Sequence, residues 1–284
     1  MKLSKIFALL LALCLISSAA CAATFTDAHG NVIELDDSLE AYAAVTLVGA
    51  DNAARQGETN LGDLWADALR WFAVSGEINA AFDEDDVKAG NDRIAVDADH
   101  VVALWNGGNL RADIAEGTFG AEALAEVLPF PNKVAVVYMT GAQLLETLEA
   151  ASQGLPYTAE TADACASLMQ VSGLTYTVDT AKAYDALEAY GDHWFTAGSV
   201  SRVHIDDVNG QPFDAEATYA VVTSNANFNG MDSSYVLKAA AEANEQSAVT
   251  TAVVRDVVFQ FIAAELNHQI GEAYAAPQGR LTVL

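Results

Sequence analysis

The stretch that most constrains this chain is VVALWNGGNLRADI, Val101 to Ile114. Five consecutive apolar residues, Val101 to Trp105, run up to turn-forming residues, the pattern of a buried strand. The strand ends in Gly107-Gly108, where the missing Cβ atoms let the backbone turn tightly and let a ligand approach its amides. Asn106 places an amide at the strand end, and Arg111 adds a planar guanidinium fork suited to phosphate or carboxylate. The rival reading is a turn with a surface arginine beyond it.

Other segments supply both kinds of regular element. TFTDAHGNVIEL alternates on either side of a His-Gly-Asn turn and predicts a short hairpin. NLGDLWADALRWFAVS puts Leu61, Leu64, Trp65, Ala68, Leu69 and Phe72 on one helical face. FDEDDVKAGNDR reads as an acidic solvated loop, and AEALAEV as a short helix stopped by Pro129. KVAVVYM is a strand, and TGAQLLETLEAAS a helix whose start carries a capping box, Thr140 with Gln143. LTYTVD, SRVHIDDV and TYAVVTSN are further strands. A last helix carries Val254, Val257, Val258, Phe261 and Ile262 and is expected to stop near Gly271. Strands and helices mix without strict alternation, so the expected fold class is α+β, mixed β-sheets with flanking helices.

The amino terminus orders a basic MKLSK, an apolar IFALLLALCLI too short to span a bilayer, and a small-residue SSAACAA, as a secretory signal peptide does. The expected division is a signal peptide over 1–22, cleaved after Ala22, a short β extension over 23–49, and the main domain over 50–284. The product is secreted, periplasmic or at the cell surface; lipidation of Cys21 within SAAC is the alternative to simple cleavage. The chain carries 13 basic and 39 acidic residues for a net charge of −26. Such a surface repels nucleic acid and anionic lipid, so a phosphate ligand must be held by a few local donors. Beyond the leader Cys165 is the sole cysteine, read as a small buried hydrophobe.

Three more clusters bear on ligand binding. Arg55 in ARQGETNLG precedes a helix amino terminus, where backbone amides favour an anion. Phe130, between two prolines in VLPFPNK, is presented on a stiff loop as a stacking surface, with core packing as the rival. Asp232, in NFNGMDSSY, either accepts hydrogen bonds from sugar hydroxyls or caps the next helix.

Taken in order, ETNLGDLWADAL, NGGNLRADI, VLPFPNK, LMQVSGLTYTVD and QGRLTVL resemble the carboxy-terminal, substrate-binding domain of the 5′-nucleotidase family. The resemblance runs over roughly residues 50 to 284 and implies nucleotide catabolism and hydrolase ancestry. In that family arginines hold the phosphate end, aromatic rings clamp the base, and an aspartate in a GGDG loop takes the ribose hydroxyls. Carried over, Arg55, Asn106 and Arg111 match the polar positions, Gly108 the glycine turn, Phe130 one face of the clamp and Asp232 the ribose acceptor. The second clamp aromatic falls near Ala226, with Phe228 as its substitute, and GGDG has become Gly230-Met231-Asp232-Ser233.

The family's metallophosphatase domain uses D-x-H, G-N-H-D and G-H-x-H segments to hold two metals. Only Asp27-Ala28-His29 resembles one of these, and it is equally the turn of a hairpin; His100, His193, His204 and His268 are scattered. A dimetal pair about 3.5–4 Å apart needs several converging ligands, so this chain is expected to hold no metal and no other cofactor. Nor does a serine or cysteine nucleophile signature appear. Three functions follow: an exported nucleotide- or nucleoside-binding protein; the substrate half of a nucleotidase completed in trans by a separate metallophosphatase chain carrying divalent metals; or a non-catalytic surface interaction protein.

Overall fold

The computed structural model describes residues 24–26, 32–34, 40–83 and 94–284. The signal peptide with Cys21, the turn holding Asp27 and His29, and most of the acidic loop after Phe82 lie outside the described residues. Thr24–Thr26 pairs antiparallel with Val32–Glu34, the hairpin that the flanking alternation predicts.

The VVALW strand lies inside a five-stranded sheet, ordered Ala248–Val253, Lys133–Thr140, Thr218–Ser224, Val101–Asn106, Met169–Ser172. One pair is parallel, Thr218–Ser224 with Val101–Asn106; the other three are antiparallel. Because strand side chains alternate in direction, the continuous apolar run feeds two cores. Val101, Ala103 and Trp105 face one, with Val134, Val136, Ala220 and Val222. Val102 and Leu104 face the other, with Val137, Met139, Tyr219 and Val221.

The first core is closed by the Asn60–Val74 and Val254–Ala264 helices. All six residues of the predicted face of Asn60–Val74 are buried, and Trp65 meets Trp105 of the sheet at a ring-centroid distance of 6.1 Å. Thr59 begins this helix by accepting the Gly62 amide on its hydroxyl at 3.0 Å. Truncating Leu64 to alanine here would cost about 2–5 kcal/mol. The second core is closed by the Gly141–Ala151 and Tyr235–Ala243 helices and by a sheet ordered Val203–Val208, Leu174–Val178, Leu281–Val283. The Thr140–Gln143 capping box is present. Cys165 is fully buried in this core, with its thiol pushed up by burial, as a packing role requires.

Two expectations need correction. The last long helix stops at Ala264 rather than near Gly271, because Asn267 and His268 both adopt left-handed backbone. Gln269–Ile270 then forms a strand parallel to Glu40–Ala43, which Gly117–Gly120 pairs on its other side. Residues 40–43, assigned above to the amino-terminal extension, are therefore woven into the main body.

The carboxy-terminal segment is tied down by acids in and just before the Asn60–Val74 helix. Arg280 donates to both oxygens of Asp67 at 2.8 and 2.9 Å, and Glu58 accepts the Gln278 and Leu281 amides at 2.9 and 3.0 Å. Asp63 accepts the Gln278 amide at 3.1 Å and is fully buried. Burial pushes its carboxyl up to about 8, with Arg280 pulling down and Glu58 pushing up further.

Candidate functional site

A cleft of ≈ 220 Å³ opens at the carboxyl end of Val101–Asn106. Its parallel neighbour Thr218–Ser224 ends on the same side and leads into the loop carrying Asp232, so both strand ends deliver side chains to one place. Crevices outside the carboxyl ends of parallel strands are where such sheets hold ligands. Four chain segments line the cleft: Asn106 to Arg111, Phe130 with Asn132, Ala166, and Ala226 with Met231 and Asp232.

Asn106 is almost fully buried and donates its amide to Asp232 at 2.7 Å, while its carbonyl oxygen accepts from Asn109 at 2.8 Å. Asp232 sits at a φ of 55°, a left-handed conformation that aspartate tolerates better than most residues. It does not cap the following helix, whose first flanking residue is Ser234. Burial pushes the Asp232 carboxyl up, and the charges of Arg55 and Arg111 oppose that.

The two glycines serve packing first. A Cβ on Gly107 would run into the Ala54 carbonyl oxygen, and one on Gly108 would meet Ala166 Cβ at 2.7 Å. The Gly107 amide is already used, donating to the Leu168 carbonyl at 2.7 Å. The expectation that both glycines clear space for a ligand is corrected in part: Gly108 lines the cleft, but the space beside both is filled by protein.

Arg111 folds back so that its Nε donates to the Gly108 carbonyl, and its guanidinium carbon lies 5.7 Å from the Phe130 ring centroid. That is cation–π distance. Burial lowers the Arg111 pKa, Arg55 lowers it further and Asp232 raises it. Phe130 is 42 % exposed, so the stiff Pro129–Pro131 loop presents it to the cleft rather than to either core.

Two expected residues are placed elsewhere. Arg55 does not line the cleft: its Nη1 donates to the Ala162 carbonyl at 2.9 Å, and its charge acts on Asp232 and Arg111 from outside the cleft lining. The helix start beside it is capped by Thr59 and forms no part of the cleft. Phe228 ends a short helix, Asn225–Phe228, and packs against the second core. The cleft face expected of it is lined by Ala226 and by Met231, which is 59 % exposed. Asn109, Asn132, Ala166 and Met231 are cleft residues that sequence reasoning missed; Asn109 in NGGNLRADI, Asn132 in VLPFPNK and Met231 in the altered GGDG loop lay inside motifs, and Ala166 carried no signal. Among the described residues no three His, Cys, Asp or Glu side chains gather as a metal-holding group. No helix among them is long and apolar enough to cross a membrane.

The model of the 5′-nucleotidase C-terminal domain matches residues 40–239. The chain belongs to this family. Its match to the 5′-nucleotidase C-terminal domain begins at the Glu40 strand and takes in every cleft segment. A curated relative, the trifunctional nucleotide phosphoesterase protein YfkN of Bacillus subtilis (strain 168), is 28 % identical over 188 residues, which are 65 % of this chain and 10 % of that protein. A 5′-nucleotidase precursor from Thermus thermophilus superposes with a TM-score of 0.61 at 29 % identity, over 87 % of this chain and 39 % of the other. The NAD nucleotidase NadN of Haemophilus influenzae does so at 0.57 and 14 % identity, over 92 % and 48 %, a likeness of fold. The chain thus spans a tenth of the curated relative and less than half of these solved ones.

Proposed function

We propose that this chain is exported by its 1–22 leader, with a Cys21 lipid anchor as the alternative, and that it binds a nucleotide or nucleoside in the Asn106–Asp232 cleft. The observation that carries the proposal is the convergence of Asn106, Gly108, Arg111, Phe130 and Asp232 from separate segments onto one cleft. Each has a distinct task. Asp232, oriented by the Asn106 amide, accepts hydrogen bonds from the ribose hydroxyls. Phe130 offers its ring to the base. Arg111 offers its fork to phosphate, and Arg55 adds positive charge from outside the cleft lining. Membership of the 5′-nucleotidase C-terminal domain family supports the same ligand class.

On this reading the chain recognises substrate and the phosphoester chemistry belongs to a separate metallophosphatase chain that acts with it. The relatives named in nucleotide hydrolysis support the ligand class on which such a task would act. Thermal melting with AMP, adenosine, ribose 5-phosphate and a nucleotide sugar tests the proposal. AMP and adenosine should raise the melting temperature, AMP more at equal concentration. No shift with any of them at millimolar concentration would leave the surface-interaction reading in its place.

A further inference from the structure

Among the described residues, the hairpin formed by Ala186–Tyr190 and Trp194–Ala197 pairs only with itself. Leu187 is 68 % exposed and Phe195 44 %, so apolar burial does not explain its seat on the domain. Its polar contacts do, and they reach two walls of the cleft. The Tyr190 hydroxyl donates to the Gly230 carbonyl at 2.6 Å. It also fills the space that a Cβ on Gly230 would occupy, at a residue whose φ of 86° already favours glycine. Gly230 opens the loop that carries Met231 and Asp232. A few residues along the hairpin, the Trp194 indole donates to the Ala164 carbonyl at 3.3 Å, in the turn that supplies Ala166. His193 Nε2 lies 3.8 Å from one oxygen of Asp163, whose other oxygen is 3.9 Å from Arg55. The hairpin is anchored in turn by Tyr235, whose ring packs on Tyr190 at 5.6 Å and whose hydroxyl accepts the Ala197 amide at 2.9 Å and donates to Glu146 at 2.9 Å.

We propose that this hairpin is a strap that joins the 163–166 wall to the 230–232 wall and sets the position of the Asp232 carboxylate toward its ligand, with Tyr190 as the positioning residue. The ligand side of this rests on the nucleotide-binding reading above; the strap itself does not. Tyr190 is not among the residues that line the cleft, so its influence must pass through the Gly230 carbonyl and the backbone that follows.

The test compares wild type, Tyr190→Phe, Trp194→Phe, Asp232→Ala and the Tyr190→Phe/Asp232→Ala double variant in the full chain. Calorimetric titration with AMP is one readout. The other is amide hydrogen exchange without ligand at Gly230, Met231 and Ser234, whose N–H groups are hydrogen-bonded within the loop. Tyr190→Phe should speed exchange at these amides and weaken AMP binding by about three- to tenfold, the effect of one lost hydrogen bond. In the Asp232→Ala background the same change should cost no further affinity. Trp194→Phe, which keeps the aromatic bulk, should speed exchange at Ala166 and Leu168 and reads the strap from its other end should Tyr190→Phe loosen the whole hairpin. Unchanged exchange in both hairpin variants would overturn the strap. Faster exchange with unchanged AMP affinity, or a Tyr190→Phe loss that persists without Asp232, would overturn its positioning role. A wild type that binds no AMP sinks the nucleotide reading instead, and exchange alone then decides whether the strap exists.

Discussion

Asn106 and Asp232 meet across 2.7 Å although they lie 126 positions apart, because the strand that ends in Asn106 and the strand that leads to the Asp232 loop lie side by side in parallel. The amide occupies one carboxylate oxygen and fixes the direction of the other. Asn106→Ala should therefore weaken adenosine and AMP alike, by about three- to tenfold for one lost hydrogen bond, and calorimetry with both ligands checks that equality.

The same carboxylate predicts a pH dependence. Burial raises the Asp232 pKa above the ordinary aspartate value, against the pull of Arg55 and Arg111. The ionised form, the better acceptor for two hydroxyls, is lost as pH falls through that raised value. Adenosine affinity should decline on acidification at a higher pH than an ordinary carboxylate would give, and Asp232→Asn should abolish that decline. An identical pH profile for wild type and Asp232→Asn removes Asp232 from the site.

Arg111 should distinguish nucleotide from nucleoside. A hydrogen bond to a charged group contributes about 1.5–3 kcal/mol, so Arg111→Ala should weaken AMP by roughly tenfold or more and adenosine much less. Arg55→Ala should have a smaller effect of the same sign, since its charge acts on Arg111 and Asp232 although it does not line the cleft. Equal losses for both ligands in Arg111→Ala would make the guanidinium a prop for Phe130 rather than a phosphate donor.

Base recognition rests on Phe130 and on what faces it. A base–aromatic stack is worth about 1–3 kcal/mol, so Phe130→Ala should narrow the preference for AMP over ribose 5-phosphate by about ten- to a hundredfold. Met231, exposed in the cleft where an aromatic was expected, should behave similarly on a smaller scale when changed to alanine. Both preferences are read by titrating the two ligands. If Phe130→Ala lowers the melting temperature and leaves the preference intact, the ring is a packing residue.

A last measurement concerns stability. Asp63 has a folded-state pKa near 8 against an ordinary 3.8, so the folded chain holds a proton that the unfolded chain releases between those values. Stability is full below the unfolded pKa and is lost as pH rises through 8. Asp63→Asn, which mimics the protonated acid, should flatten that fall and stabilise the protein at about pH 9 by at least about 1 kcal/mol, roughly 2–4 °C in melting temperature. A variant less stable than wild type under those alkaline conditions would show that the charged form is the one the fold prefers.

The elements read correctly from sequence are those whose pattern is local. The 60–74 helix face, the Thr140 capping box and the VVALW strand each declare themselves within a few residues. Glu40–Ala43 and Ala248–Val253 did not, because their pairing is decided by strands far along the chain. The cleft follows the same division. Asn106, Gly108, Arg111, Phe130 and Asp232 were legible from their motifs, and the structure gathers all five. Phe228 was misplaced because its distance from the expected position is two residues along a helical turn, enough to rotate it from cleft to core. Ala166 and the Tyr190 contact depend on how separate segments cross, which no local pattern records.

The Glu40 strand has a kinetic consequence. Its carbonyl lies 2.9 Å from His268 Nδ1, a contact across 228 residues, and its strand gains one neighbour only when Gln269–Ile270 arrives. Synthesis proceeds from the amino terminus, so this edge waits open until nearly all the described chain has emerged. Closing so long a loop must precede any reward from the pairing. Refolding should accordingly complete this edge late, along with the Arg280–Asp67 and Glu58–Leu281 contacts that close loops of similar length, so that Ala41 and Ala43, buried in the finished domain, become dry only toward the end.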